Sequence, residues 1–481
     1  MYNIESLLDK NRTYYFVGIG GIGMSALARI LIAHGYKVSG SDVKATDVTK
    51  GLESLGIHIN YSQRAENIKD DFIVVRTDAA QAGNHEYDEA VRRQLTVYRR
   101  PELLSLLEQT KDMSIAVSGA HGKTTTSTMV AHLLTEAGQD PTCVIGGIVP
   151  QWQSNGRIGC GKQFVYEACE AFGNLVAYHP THLIVTNIDR DHLEAYNNDY
   201  EQFKEYYVIY MNRVAEDEKH FVLANYDDAG IEGVMPKLHK NVKYFSFAKS
   251  NRDDSRITAK GGNIKPIQGG TSFEVELFAS GEKYTVPIPL YGLHNVYNAL
   301  AAFVMCSEFV EPQKLVAAFK NFKNSKRRFE LMGRFNEANI YNDYAHLPAE
   351  VASAIEGARQ SLTGSSRGKV VVAFQPHLQS RTKEHYLDFA KALLQADAVM
   401  LLPVYTPTGR VGEDLGITHD IIYNEMLRLK ESGSKDCRAK QIVPAKEEKE
   451  FKPLLSDIVE AGDAVLLVGA GTIGDWYKQL V

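Results

Sequence analysis

Cysteine is scarce. The 481-residue chain carries five, Cys143, Cys160, Cys169, Cys306 and Cys437, and none forms a CxxC pair. An odd, scattered set fits reduced thiols used for packing better than a disulfide framework or a zinc site. Long apolar runs are missing too, so no segment reads as a membrane span. The opening stretch MYNIESLLDKNRTYYFVGIGG has no basic segment leading into an apolar stretch and a small-residue cleavage site. A cytoplasmic protein without membrane insertion is the expectation. Nor is positive charge in excess. With 53 Lys and Arg against 59 Asp and Glu the net charge is −6, which leaves no footprint for a polyanion and argues against a nucleic-acid partner. Any anionic ligand must therefore be held by local geometry.

What is present is the composition of a globular protein, 44% hydrophobic and 23% charged, in a chain long enough for two to four domains. Residues 14–100 alternate strand and helix patterns: YYFVGIG, then GMSALARILIAHG ending at Gly35, then YKVSGSD, then FIVVRT. A plausible linker helix starts at Arg99-Arg100-Pro101. A second α/β unit opens at MSIAVSG and passes through TTTSTMVAHLLTEAG to the strands KQFVYEA and THLIVTNI, a parallel-sheet pattern. Between about 240 and 290, short β-prone pieces separated by KGGN, QGGT and SGEK predict an antiparallel elaboration, followed by the helix NVYNALAAFVMCSEF. Beyond KNSKRRFE a third α/β stretch has GKVVVAFQP, ADAVMLLPVY and DAVLLVGAGT as strands, and SLTGSSRG at 361–368 as a polar loop. The fold class expected is thus α/β in three domains, 1–107, 108–325 and 326–481.

Two glycine clusters carry the chemistry. Gly18-Ile-Gly20-Gly21-Ile-Gly23 satisfies GxGxxG between a strand and a helix, with Asp42 at the end of the next strand. Such a turn lets backbone amides at a helix N-terminus approach a diphosphate. On its own it leaves three readings open: a dinucleotide, another diphosphate nucleotide, or a structural turn. Gly119-Ala120-His121-Gly122-Lys123-Thr124 follows a buried strand and opens a helix. The full GxxxxGK[ST] pattern would need glycine where Val117 stands. The shorter GxxGKT form keeps the amides that cradle phosphates, a lysine that reaches the terminal ones, and a threonine hydroxyl for Mg²⁺. Glu170 and His192 both emerge at strand ends where they could serve a metal beside this loop, although either alone would more often be a solvated loop residue.

In order along the chain, YFVGIGGIGMSALA with VSGSD, SGAHGKTTT, EACE, TNIDRDH, YGLHNVYNALAA, RRFELMG, NDYAHLPAEV, FQPHLQSRT and GDAVLLVGAGTIG resemble the Mur ligases, ATP-dependent amide-forming enzymes of peptidoglycan precursor synthesis. The resemblance implies a Rossmann-like N-terminal domain holding UDP-N-acetylmuramate and a central P-loop ATPase-type domain. It implies, too, a Rossmann-like C-terminal domain that closes over the nucleotide and carries the amino acid, here L-alanine. Within it, Gly18, Gly20, Gly21, Ile22, Gly23 and Ser25 line the UDP diphosphate. Asp42 and Thr77 lie nearby or are strand-end residues.

Carried over in the same way, Gly119, Ala120, His121, Gly122, Lys123, Thr124 and Thr125 hold ATP, with Lys123 on the β- and γ-phosphates. Thr124 and Glu170 bind one Mg²⁺ and His192 a second, with Mn²⁺ a possible substitute. His294, Asn295 and Asn298 match the nucleotide-facing HNxxN element, Asn298 having the alternative of a core helix residue. Arg327 or Arg328 reaches the phosphates, Arg328 lying nearest the R-F-E pattern. Asp343 binds the ribose, Tyr344 and His346 line the site, and His377 and Arg381 approach the amino acid's carboxylate, which a planar guanidinium can grip by two bonds. A monomer or weak homodimer is expected.

Three stretches depart from the family pattern. Tyr344-Ala345-His346-Leu347-Pro348 stands for YGHHP, Leu378 replaces a frequent basic residue, and Ala171-Phe172-Gly173-Asn174 follows Glu170 where a polar pair and Ser-Phe are common. The alternatives are a sister ligase adding a recycled peptide to the same nucleotide sugar, an NAD-dependent oxidoreductase built on GIGGIG, and a nonenzymatic ATP-dependent switch.

Overall fold

The computed structural model describes residues 4–363, 368–407, 414–433 and 437–480; part of the expected loop at 361–368 lies outside them. The first sheet forms around Thr13–Val17, whose Tyr14, Tyr15, Phe16 and Val17 are all buried. Its five strands are parallel, in the order His58–Asn60, Lys37–Ser41, Thr13–Val17, Phe72–Arg76, Val97–Arg99. A strand covered on both faces reads as a continuous apolar run, which is why YYFV and FIVV were legible. The helix Ile22–Ala33 buries Met24, Ala26, Leu27, Ala28, Ile30 and Leu31. Strand order reverses beside Thr13–Val17, so the crevice at its C-terminal end is the switch point at which such sheets bind ligands. Gly18 and Thr77 stand there.

The second sheet has ten strands, in the order Glu282–Ile288, Gly270–Leu277, Ile257–Ile267, Val242–Ser246, Phe221–Asn225, His182–Val185, Met113–Ser118, Gln163–Glu167, Thr142–Val149, Ser154–Arg157. Pairing is parallel from Ile257–Ile267 to Thr142–Val149, and the last strand is antiparallel. The third sheet runs Glu330–Phe335, Ala338–Asp343, Ala464–Val468, Val370–Phe374, Ala398–Leu401, Gln441–Pro444, with only the first pair antiparallel. Asn336 and Glu337 both adopt positive φ between the strands of that hairpin, the conformation of a tight two-residue connection. The sequence did not announce it, because the usual glycine is replaced by Glu337.

Two compact units result. One comprises Met1–Asn263, Phe273–Val286 and Tyr297–Lys323, the other Ile264–Ser272, Pro287–Val296 and Asn324–Val481. The first unit therefore joins the first sheet to most of the second. There the Ser154–Arg157 strand packs so tightly on the helix Ile22–Ala33 that a Cβ at Gly156 would lie 3.0 Å from the Cα of Ala26. The helix Arg100–Glu108 links the two sheets, and its last residue is buried. Glu108 accepts hydrogen bonds from the Tyr166 hydroxyl, from the His179 backbone N–H at 2.7 Å and from the Ser105 hydroxyl at 3.0 Å. Burial pushes its carboxyl up to about 7, against the lowering effect of those bonds.

Because the folded carboxyl binds its proton more tightly than the unfolded one, Glu108 stabilises the fold most below its ordinary pKa and loses that contribution as pH rises towards 7. Melting of the wild type and of Glu108→Gln, compared from pH 4.5 to 7.5, should show the wild type losing stability relative to the variant on the order of 2 kcal/mol across that window. A constant difference would remove Glu108 as the titrating group.

Candidate active site

The first glycine loop spends its own amides internally, Gly18 and Ile19 on the Ser41 carbonyl and Gly21 on that of Gly18, and opens directly into a helix. Gly21 caps the helix Ile22–Ala33 with no side-chain bond, and its first turn holds no acid, so the unpaired N–H groups there favour an anion. Gly18 has φ +79°, and a Cβ on it would lie 3.1 Å from Thr77 Cγ2. Asp42 is bound to the loop itself: Oδ2 accepts the Gly20 N–H and Oδ1 the Val43 N–H, both at 2.8 Å. Thr77 and Asp42 therefore both adjoin the glycines. Ile22 keeps an exposed side chain, whereas Ser25 is fully buried. The Ser25 hydroxyl donates to the Ile22 carbonyl at 3.0 Å, and the Asn155 carboxamide also reaches that carbonyl. This corrects the expectation that Ser25 lines the open face: it anchors the loop to the second sheet. Arg100, which sequence reading used only to start a helix, has its Cδ 2.9 Å from where a Gly23 Cβ would stand.

At the second loop the strand Met113–Ser118 delivers Gly119 and the helix Lys123–Glu136 begins after Gly122. Gly122 sits at φ +83°, and a Cβ there would collide with the carboxamide of Asn298, so Asn298 stands against the loop although it is largely buried. Ala120, Thr124 and Thr125 are buried within this turn. Asn187 fixes His121 from both sides, accepting its N–H at 2.8 Å and donating to its carbonyl at 2.9 Å. The Lys123 ammonium donates to the Glu170 carboxylate at 2.9 and 3.0 Å and to the carbonyls of Gly119 and Ala120. Burial opposes the charge on Lys123, but the adjacent Glu170 outweighs it and holds the ammonium above its ordinary range.

Ligand atoms of Glu170, Asp191 and His192 converge within 4.8 Å of one another. Thr124, expected to share a metal with Glu170, donates its hydroxyl proton to Glu167 at 3.2 Å, as Ser127 does at 3.1 Å, a bond that leaves the oxygen lone pairs for an ion. Glu167 and Asp191 were missed by sequence reasoning, although each lies inside a motif, EACE and DRDH, whose other acid or imidazole had been chosen.

The second unit gathers the remaining residues. Arg327 donates to the carbonyls of Gly469 at 2.6 Å and Gly471 at 2.9 Å, and its guanidinium lies 4.8 Å from the Tyr344 ring centroid. Arg328 lies 5.3 Å from the same ring. Asp343 accepts the N–H groups of Phe329 and Ala345, each at 2.8 Å, and burial pushes it up to about 6 although Arg328 and these bonds act the other way. His294 is lowered to about 4, first by burial and then by Arg328, with Glu350 opposing; Asn295 donates to the Tyr291 carbonyl at 2.7 Å. The His346 ring lies 5.2 Å from that of Tyr344 and 6.4 Å from that of His377, which stacks on Tyr405 at 5.8 Å and meets Arg381 Nη1 at 3.4 Å. Leu378, where the family often has a basic residue, is buried and holds φ +69°.

A parallel sheet with a glycine loop at its switch point, joined to a second sheet bearing a lysine-containing phosphate loop, defines a nucleotide-dependent α/β enzyme. Three family models match in order: Mur ligase family, catalytic domain, over residues 13–111; Mur ligase middle domain over 117–306; and Mur ligase, glutamate ligase domain, over 327–471. The chain belongs to the Mur ligase family. It is 33% identical to a UDP-N-acetylmuramate--L-alanine ligase of Aquifex aeolicus, covering 99% of this chain and 98% of that one, and 36% identical to one of Trichlorobacter lovleyi, covering 97% and 98%. A UDP-N-acetylmuramate-alanine ligase of Thermotoga maritima superposes with a TM-score of 0.78 at 28% identity over 98% of both chains. A murein peptide ligase of Psychrobacter arcticus, at 23% identity and a TM-score of 0.70, shares the fold.

Removing one member of a buried ion pair strands the other, at a cost of about 3 kcal/mol. Lys123→Met should lower the unfolding free energy by about that much, and adding Glu170→Gln should restore most of it; a double variant no more stable than the single would argue against the pair. In the second unit, Arg327→Ala should lower the melting temperature, because Arg327 holds the carbonyls of Gly469 and Gly471; an unchanged melting temperature would argue against that role.

Proposed function

We propose that this protein joins L-alanine to the lactyl carboxylate of UDP-N-acetylmuramate, splitting ATP to ADP and phosphate. The observation that carries the reading is the pairing, within one compact unit, of two glycine turns that each open a helix, one a GxGxxG turn and the other headed by Lys123. One loop suits a diphosphate handle and the other a triphosphate.

A carboxylate is a poor electrophile. Its oxygen attacks the γ-phosphorus of ATP, breaking the bond to the β-phosphate bridging oxygen and giving an acyl phosphate and ADP. The free amine of L-alanine then attacks the acyl carbon, the tetrahedral intermediate expels phosphate, and the amine's proton is lost. Catalysis of this kind is positioning and charge neutralisation. We assign Lys123 and the amides of the loop from Gly119 to Thr125 to the phosphates, with Asn298 packed against that loop, and Gly18, Gly20, Gly21, Ile22 and Gly23, beside Asp42 and Thr77, to the UDP diphosphate.

Thr124 and Glu170 would hold one Mg²⁺ and His192 a second, with Asp191 converging on Glu170 and His192, and an imidazole ligand suits Mn²⁺ as a substitute. Such an ion neutralises phosphate charge. On the second unit we assign His294, Asn295, Arg328 and Asp343 to the nucleotide, and Tyr344, His346, His377 and Arg381 to the amino acid. Arg328 is preferred to Arg327, whose Nη2 already donates to two carbonyls. The domain limits 1–107, 108–325 and 326–481, a cytoplasmic location and a monomer or weak homodimer belong to the same reading.

Phosphate release from ATP, measured with UDP-N-acetylmuramate and in turn L-alanine, glycine, L-serine or a tripeptide, tests it. Turnover is expected with L-alanine and only in the presence of a divalent cation, and Lys123→Ala should lower it by about 10³-fold. Turnover with the tripeptide alone would favour the peptide ligase, and NADH binding without phosphate release would sink the ligase reading.

A further inference from the structure

The segment Ala171–Ala177 follows directly on Glu170, the partner of Lys123, and its most exposed large side chain is an aromatic ring. Phe172 is 55% exposed while holding φ +58° and ψ +22°, a left-handed conformation that bulky L side chains rarely adopt. Burial does not repay that strain, since the ring faces solvent, and glycine or asparagine would satisfy the backbone more easily.

The segment is nonetheless tied down on both sides. The Glu170 carbonyl accepts the Tyr196 hydroxyl at 2.6 Å. Asn174, almost fully buried, donates to Asp78 at 3.1 Å and accepts from Arg99 at 3.4 Å, and Arg213 donates to the carbonyls of Val176 at 2.9 Å and Leu175 at 3.3 Å. One end thus begins at the partner of Lys123. Its middle residue, Asn174, is bonded to the neighbours of Thr77 and Arg100, the two residues that adjoin Gly18 and Gly23. A strained residue held in place by over-determined surroundings is the pattern of a ligand contact.

In a nucleotide sugar the ring lies between the diphosphate at its anomeric carbon and the reacting carboxyl on its lactyl ether. We propose that Phe172 is a positioning and specificity residue whose ring packs on the apolar C–H face of the substrate's sugar. This rests on the function proposed above. The ring covers the sugar's carbons without competing for its hydroxyls, excludes water beside the reacting carboxylate, and recovers in the complex the burial that the free chain lacks.

Calorimetric binding of UDP-N-acetylmuramate and of UDP, with melting temperatures, separates the possibilities. Phe172→Ala should weaken UDP-N-acetylmuramate roughly tenfold, leave UDP unchanged, and raise KM for the nucleotide sugar more than it lowers kcat. Phe172→Tyr should restore binding. Phe172→Asn should melt above the wild type yet bind the sugar nucleotide as poorly as the alanine variant. Unchanged affinity in Phe172→Ala, or an equal loss for UDP, would overturn the inference. A wild-type protein that binds UDP-N-acetylmuramate no better than UDP would instead sink the functional reading beneath it.

Discussion

Lys123 and Glu170 face each other at 2.9 Å with the carboxylate wholly withdrawn from solvent, and neither charge could be kept there alone. Much of the first unit is arranged around that constraint. Lys123 is the first residue of a helix whose loop must turn through left-handed Gly122, and Glu170 ends the extension of the neighbouring parallel strand. The pair can meet only because Met113–Ser118 and Gln163–Glu167 are adjacent and in register. His182–Val185, on the other side of Met113–Ser118, delivers Asn187 to brace His121 and then Asp191 and His192 to the carboxylate. Three neighbouring strands end where one cluster of charge is needed.

The same economy governs the first loop. Its glycines are held by groups from the strand ends, Asp42 on the Gly20 amide and Thr77 against Gly18, while Asn155 and Ser25 stitch the start of the helix to the second sheet. The two loops are therefore parts of one packed body. A substrate held by its diphosphate and activated at a carboxylate needs both ends fixed, and Ala171–Ala177 is the segment bonded to each side. Its exposed phenylalanine holds a left-handed backbone between neighbours, Glu170, Asn174, Leu175 and Val176, that are tied by hydrogen bonds to groups far away in the chain.

Legibility followed locality. Strands such as YYFV, IAVS and AVLLV, buried on both faces, could be read directly, and so could the helices that follow each glycine loop. Hairpins without a glycine signature could not: Thr142–Val149 with Ser154–Arg157, and Glu330–Phe335 with Ala338–Asp343, turn through residues 150–153 and Asn336-Glu337, neither of which contains a glycine. Among site residues, Lys123, Glu170 and His192 stood out because a motif surrounds each. Glu167 and Asp191 were hidden by better-placed neighbours in the same motifs, and Ser25 misled because a hydroxyl in a glycine-rich stretch reads the same whether it points in or out.

By itself the sequence determined the alternation of strand and helix, the two glycine loops and the family, because these depend on contiguous residues and on the backbone chemistry of glycine. Tertiary structure decided which partner each polar side chain takes. Thr124 goes to Glu167 and Lys123 to Glu170, Arg327 donates to the carbonyls of Gly469 and Gly471, and Asn298 comes to rest against Gly122. Those choices turn on strand order and register, which bring together residues tens to more than a hundred positions apart, and no local pattern encodes a distance across a sheet.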